Sequence, residues 1–517
     1  MRLSRRALLA GGVSVIGSAV VAQTPLGVIR PQARAVQERV GDGGPPRPDD
    51  RIVARPDIAS TIARSGVTGD TGALVYDIDT MEVIEAHLPE TALMPASVTK
   101  VATALYVLDT FRAEHRFVTR LIATGPVVDG VIDGDLVLVG ANDPVLNSDD
   151  LAVMVGTLTD QGITGITGDL RVWAGGLPEI AAVDPGQLAH LGYSPGVSGL
   201  NLNFNRVHFG WERSGQTYTV TMDARTEARR PIVRVSSMEV VDRSRPIYDY
   251  ARVAGRDSWS VARGALGQDG SRWLPVRQPA MYAGDVLRSI AVEAGLILPA
   301  PQVIDAVPEG SVQAVHHSPT VEDIVRGMLR FSTNLTAEVL GRAATQARGG
   351  DASTLAASAA EMGAWLAETT GQYTQFADHS GLSDASRVSA ASMVRILADA
   401  DVGPLRGVLK SIALTSTGGD RLPDPPGVVV AKTGTLNFVS ALAGFMDTTG
   451  ERRLAFAIFS TDSVSRIAGI ASGEEQPTGA ATFNTRAKRL QQTLLQRWGL
   501  LYGALPVEVE RIDVADE

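Results

Sequence analysis

At 517 residues, with 44% hydrophobic and 20% charged side chains, the chain can bury large cores and has room for roughly two to four domains of about 150 residues each. A net charge of −10 with no Lys/Arg cluster excludes a nucleic-acid surface, which needs grouped cations to meet phosphates; an anionic polymer held by a few local cations stays open. Cysteine is absent, which excludes disulfides, thiolate catalysis and cysteine-ligated metals.

Arg2, Arg5 and Arg6 precede an apolar run from Ala7 to Ala22, and Val20-Val-Ala22 supplies small residues before Gln23. That order predicts an export signal over residues 1–22. Ser4-Arg-Arg-Ala-Leu-Leu9 resembles the twin-arginine class, which implies export in the folded state. The alternative is an uncleaved membrane anchor, for which the run is short against a span of about 20 residues. No other segment is long and apolar enough to cross a bilayer. Residues 23–54 are rich in Pro, Gly and charge, the composition of a disordered tether.

Beyond the tether, Gly72-Ala-Leu-Val-Tyr-Asp-Ile78 and Met81-Glu-Val-Ile-Glu85 flank Asp79-Thr80, which predicts strand, turn and strand. Pro95 then opens a helix in which Val98, Val101, Ala102, Leu105 and Leu108 make much of the circumference apolar. Ser97 and Lys100 are neighbours on one face of its first turn. The chain has only four lysines, Lys100, Lys410, Lys432 and Lys488, against 43 arginines. Arginine stays protonated, whereas a buried lysine can be tuned down to act as a base. A helix-start serine beside a snorkelling lysine is the bland reading of the tetrapeptide alone.

Two later stretches share its chemistry. Met328-Leu-Arg-Phe-Ser-Thr-Asn-Leu-Thr-Ala-Glu338 contains Ser332-Thr-Asn334, and Val428-Val-Val-Ala-Lys-Thr-Gly-Thr-Leu436 contains Lys432-Thr-Gly434. The second is a β-branched run ending in glycine, as expected of an edge strand that a ligand approaches closely. In this order the three motifs resemble the signature of the active-site serine penicillin-recognising enzymes. Ser97 and Ser332 lie 235 residues apart, so something domain-sized is inserted between them. The intervening residues resemble the D-alanyl-D-alanine carboxypeptidase/endopeptidase family, the class C (type-4) low-molecular-mass penicillin-binding proteins. The resemblance runs from about residue 55 to 500. It includes Asp129-Gly-Val-Ile-Asp-Gly-Asp-Leu-Val-Leu-Val-Gly140, Gly162-Ile-Thr-Gly-Ile-Thr-Gly-Asp169, Ser380-Gly-Leu-Ser383 and Ser440-Ala-Leu-Ala-Gly444.

The resemblance implies an α+β fold, a penicillin-binding catalytic domain with an antiparallel sheet and packed helices, interrupted by large inserts. The expected division is catalytic domain at 55–120 and 306–505, inserted domain II at 121–206 and 267–305, nested β-rich domain III at 207–266, and an acidic tail at 506–517. Tyr218–Met222 and Ile232–Val235 are predicted strands of the nested part, and Thr482 to Trp498 a closing helix. By the same resemblance Ser97 is the nucleophile, Lys100 its base, Ser332 a proton relay, Asn334 an orienting amide and Lys432 a charge for the substrate carboxylate. Thr433 and Thr435 offer hydroxyls to that carboxylate, and Gly434 lets the strand come close. The implied partners are peptidoglycan stem peptides and, as covalent inhibitors, β-lactams, with no cofactor and no metal. His316-His317 are adjacent and lack a metal-ligand spacing on one face.

Two departures stand out. The chain has Gly140-Ala-Asn-Asp-Pro144 where the family usually has Gly-Gly-Gly-Asp-Pro, and Asp378-His-Ser-Gly381 where it has Asp-Gly-Ser-Gly. The first places at Ala141 a residue that tolerates positive φ poorly. The second predicts a solvent-facing loop histidine at 379, with a place on the wall of the site as the alternative. A β-lactamase and a catalytically weak cell-wall binding protein on the same fold are the competing functions. The motifs do not separate trimming of a terminal D-Ala from cutting of cross-links. The insert is expected to position a large substrate and to leave the chemistry to the catalytic domain.

Overall fold

The structure, a computed structural model, describes residues 57–400 and 403–503; the expected export signal, tether and acidic tail lie outside them. Its fold is α+β. Strands covered on both faces read as unbroken apolar runs, and Val439–Thr448 and Arg453–Thr461 do so, buried everywhere except Asp447 and Arg453. They form the middle of a six-stranded antiparallel sheet in the order Lys410–Ile412, Gly427–Leu436, Val439–Thr448, Arg453–Thr461, Asp70–Asp77, Glu82–His87. Leu490, Leu494 and Trp498 of the helix Ala480–Tyr502 pack with Val75, Leu442 and Phe456 of this sheet. Each such buried side chain contributes about 1.5–3 kcal/mol. The helix outruns the predicted 482–498 by a turn at its C-terminus. There Trp498 Nε1 and Tyr502 Oη donate to Glu85 at 3.0 and 3.4 Å, pinning the added turn to the sheet edge.

The serine stretch folds in two parts. Ala96–Val98 is a 3₁₀ turn, and the α-helix runs from Thr99 to Thr110. Ala96 holds φ 45°, a costly conformation for a residue with a Cβ. Ser97 therefore projects from a tight turn ahead of the helix, and Lys100 from its first turn. Ser332 is a second such point. It takes φ 59° between the helices Val321–Phe331 and Asn334–Ala347.

Between the serine helix and Ser332 the chain builds a second, five-stranded mixed sheet. Its order is Pro301–Ile304, Leu170–Trp173, Leu136–Val139, Val118–Ala123, Ser311–His317. Ser311–His317 pairs with Val118–Ala123, so this sheet draws on residues on both sides of the expected 121 and 305 boundaries. The helices Ser148–Asp160 and Pro279–Glu293 share one core with it, through Leu138, Leu158, Val172 and Leu287. Three three-stranded sheets complete the insert: Thr217–Asp223, Arg206–Ser214, Asp269–Pro275; Ser236–Val241, Arg256–Ala262, Tyr248–Val253; and the short Val127–Val128, Val131–Ile132, Gly165–Ile166.

Ile232–Val235 is not the strand predicted for it. The backbone N–H groups of Arg234 and Val235 donate to Asp285 Oδ2 at 2.5 and 3.1 Å, so a side chain takes the place of a strand partner. In the Gly140–Pro144 loop the positive φ of 65° falls on Asn142, not on Ala141. Asparagine tolerates that region better than most residues, which removes the strain expected there.

Candidate active site

Four elements meet at Ser97. Lys100 Nζ, on the serine helix, donates to Ser97 Oγ at 3.0 Å, to Asn334 Oδ1 at 2.8 Å and to the Ser380 carbonyl at 2.7 Å. Lys432 Nζ donates to Ser332 Oγ at 2.9 Å and to the Thr433 carbonyl at 2.7 Å. Each lysine thus holds one serine. All five predicted catalytic residues, Ser97, Lys100, Ser332, Asn334 and Lys432, come together although up to 335 positions separate them in sequence.

The strand that carries Lys432 reaches the serine turn because position 434 has no side chain. A Cβ on Gly434 would lie 2.7 Å from the Pro95 carbonyl oxygen and 3.0 Å from the Ser97 nitrogen. Lys410–Ile412 pairs only with Val429–Ala431, so from Lys432 to Leu436 the outer edge of the strand has no strand partner. The predicted edge is therefore confined to the half that faces the site. Thr435 lines the cleft there, with Ser97, Tyr193, Asn334, Arg466 and Glu475, around a volume of about 400 Å³. Thr433 contributes its carbonyl to Lys432, and its side chain is not part of that lining.

Both lysines are nearly inaccessible, Lys100 at 0% and Lys432 at 1% exposure. Burial disfavours the charged form and brings Lys100 down from 10.5 to about 8, against the pull of Asp378 and Glu338 in the other direction. Lys432 falls to about 6, through burial first and then through the charges of Lys100 and Lys410. Burial thus brings Lys432, as well as the expected base Lys100, toward the range in which a lysine can give up its proton. A carboxylate placed beside Lys432 favours its charged form, and that charge in turn favours neutral Lys100.

Sequence reasoning missed the layer beneath the lysines. Glu338 is fully buried one turn along from Asn334, and its carboxylate accepts from the His379 and Ser380 N–H groups at 3.1 and 2.9 Å. Asp378 accepts from Gly381 and Ser383 N–H at 2.6 and 2.7 Å. The spacing of Asn334 and Glu338, four residues apart on one helix, was the signal that pointed to the first. Tyr193 and Gln187 of the insert also reach the cleft, and Asn334 Nδ2 donates to the Tyr193 carbonyl at 2.9 Å. Nothing in their local sequence marks them.

His379 does not face solvent. It is 0% exposed, its Nε2 lies 2.8 Å from Ser358 Oγ, and its ring stacks near Tyr106. Burial holds its pKa down at about 3, so it stays neutral. It does not line the cleft. Among the described residues no group of His, Asp and Glu is arranged to hold a metal.

A sequence model described as the D-Ala-D-Ala carboxypeptidase 3 (S13) family matches residues 54–477. A D-alanyl-D-alanine carboxypeptidase of Actinomadura sp. (strain R39) is 26% identical over 75% of this chain and 77% of its own. The D-alanyl-D-alanine carboxypeptidase DacB of Haemophilus influenzae is 24% identical over 75% of this chain and 85% of its own. Among solved structures, penicillin binding protein 4 (dacB) from Haemophilus influenzae superposes with a TM-score of 0.66 at 19% identity, covering 85% of this chain and all of that one. The same protein complexed with a β-lactam matches equally.

Proposed function

Because the chain belongs to the D-Ala-D-Ala carboxypeptidase 3 (S13) family, we propose that its cleft cleaves the bond after D-alanine in peptidoglycan stem peptides, through an acyl-enzyme on Ser97. The observation that carries this reading is the setting of Lys100. It is fully buried, its hydrogen-bond partners are three neutral oxygens, and one of them is Ser97 Oγ. A lysine used only for structure would be matched with a carboxylate or left to snorkel.

The steps follow from the contacts. The substrate's terminal carboxylate sits beside Lys432 and Thr435, which keeps Lys432 charged and Lys100 neutral. Ser97 Oγ attacks the penultimate D-Ala carbonyl while its proton passes to Lys100 Nζ. The backbone N–H groups of Ser97 and Thr435 receive the oxyanion. The C–N bond then breaks, and Ser332, fixed by Lys432, relays a proton to the leaving amine. Water finally hydrolyses the ester on Ser97. A β-lactam amide enters the same sequence and stops at the ester; the Haemophilus influenzae penicillin binding protein 4 has been solved complexed with a β-lactam.

Residues 1–22 support export to the cell-wall space, by cleavage after Ala22 or by retention as an anchor. The basic start followed by an apolar run is what favours this.

Incubation with defined monomeric and cross-linked muropeptides, with products identified by mass spectrometry, tests the reading. Loss of terminal D-Ala from monomers, cleavage of D-Ala cross-links, or both support it and set their balance. No cleavage of either argues for a binding protein, and rapid turnover of penicillin for a β-lactamase.

A further inference from the structure

Two of the three acceptors of Lys100 are set by one helix. Asn334 Oδ1, at the start of Asn334–Ala347, accepts from Lys100 directly. Four residues on, Glu338 grips the N–H groups of His379 and Ser380, and the carbonyl of Ser380 is the acceptor 2.7 Å from Lys100 Nζ. The gripped segment has nowhere else to go. Gly381, at φ 73°, is so close to the serine turn that a Cβ would lie 1.8 Å from the Ala96 carbonyl oxygen.

We propose that Glu338 is a positioning residue for acyl-enzyme formation: its carboxylate aims the Ser380 carbonyl at Lys100 and sets the proton affinity of that lysine from below. This rests on Lys100 acting as the base for Ser97.

Among the described residues, the charged groups that act on this pair come from several elements. Lys100 faces Glu338 on its helix and Asp378 on the 378–381 segment, both of which favour its proton. Lys432, from the strand Gly427–Leu436, opposes them, with Lys410 behind it. Burial first and then Asp378 raise the pKa of the Glu338 carboxyl on balance, against the Ser380 and His379 donors and Lys100, which favour its ionised form. Arg342, one further turn along, lies close enough for its charge to interact with Glu338. Neutral His379 and, beyond Asp378, Asp184 complete the set. Each Glu338 oxygen accepts one N–H bond, an arrangement that favours the ionised carboxylate.

The sign follows. Negative charge at 338 raises the pKa of Lys100, so removing it lets Lys100 lose its proton at lower pH. In Glu338→Gln the acid limb of penicillin acylation, followed by stopped flow with fluorescent penicillin across pH, moves to lower pH by roughly one unit. The amide also turns an NH₂ toward one of the two backbone donors and loosens the Ser380 carbonyl, so the plateau rate drops on the order of tenfold. Glu338→Asp keeps the charge but retracts it by one methylene. It holds the limb near the wild-type position while the plateau falls.

A purely structural Glu338 would change the melting temperature and leave the limb in place. An unmoved limb in folded Glu338→Gln overturns the proposal while the assignment of Ser97 stands. If Glu338→Gln does not fold, wild-type acylation by Glu338→Asp overturns it. A wild-type protein that takes no penicillin at all overturns this proposal together with the functional reading.

Discussion

Two interiors of this molecule obey different rules. Beneath the cleft, Lys100, Lys432, Glu338, Asp378, Arg342 and His379 are each at most 1% exposed, so ionisable groups occupy the positions where a core has leucine and valine. In the insert, Leu136–Val139 is buried at every residue, Leu136 and Leu138 among Leu121, Leu158, Val172 and Phe209, and Val137 and Val139 beside Ile122 on the other face. Arg171 and Asp135, paired there at 2.7 Å, are both partly exposed. The second interior is built mostly by hydrophobic burial, and its buried acids Asp257 and Asp285 are held by backbone N–H groups. The first costs desolvation at every group and persists because each group holds another in place. Buried charge without this mutual support is a stability cost; here it marks where proton affinities are being set.

Substitution separates the two interiors. The largest effect is expected at Lys100→Arg, which keeps a positive charge but has no neutral form at working pH. General-base catalysis is worth about 10²- to 10⁴-fold, so penicillin acylation should slow by at least that range with the melting temperature little changed. Lys100→Met, uncharged and close in length, should be similarly slow, which separates lost basicity from the crowding that a guanidinium brings. Near-wild-type acylation by Lys100→Arg would reduce the lysine to an electrostatic role.

Leu138→Ala should do the opposite. Leu138 is 0% exposed, and a Leu→Ala cavity of this kind costs about 2–5 kcal/mol. Thermal or denaturant unfolding should report that loss, while the acylation rate of the protein that remains folded stays at the wild-type value. A fall in acylation without a fall in stability would show that the insert's core is coupled to the chemistry, and the contrast between the interiors would not hold.

The three motifs were legible because their chemistry dictates residue type at short spacing. Ser97 and Lys100 are three apart, Ser332 and Asn334 two apart, and Lys432 to Gly434 contiguous. A strand that must touch the serine turn requires glycine at 434, and the residue itself says so. The supporting layer was hidden because it depends on partners distant in sequence. Glu338 stood in the quoted Ser332 stretch, yet its work is done on Ser380, 42 residues away.

His379 was misplaced for a related reason. A loop histidine reads as solvated, but Gly341 on the neighbouring helix opens a slot for its ring, and a Cβ there would lie 2.2 Å from His379 Cγ. Ile232–Val235 looked like a strand because its β-branched residues do, and Asp285 captured the N–H groups of Arg234 and Val235 instead. The insert was also expected to stand apart from the chemistry. The Tyr193 carbonyl on Asn334 joins the two, so replacing residues 121–305 by a linker would remove part of the cleft wall along with any surface for a larger substrate.

The account stands or falls on Ser97 as the acylated residue. Labelled penicillin, followed by proteolysis and mass spectrometric mapping of the modified peptide, tests it most directly, with Ser97→Ala as a folded control. The predicted result is one adduct, on Ser97 in the wild type and absent from the variant. An adduct on any other residue, or a wild-type protein that remains unmodified, would contradict it.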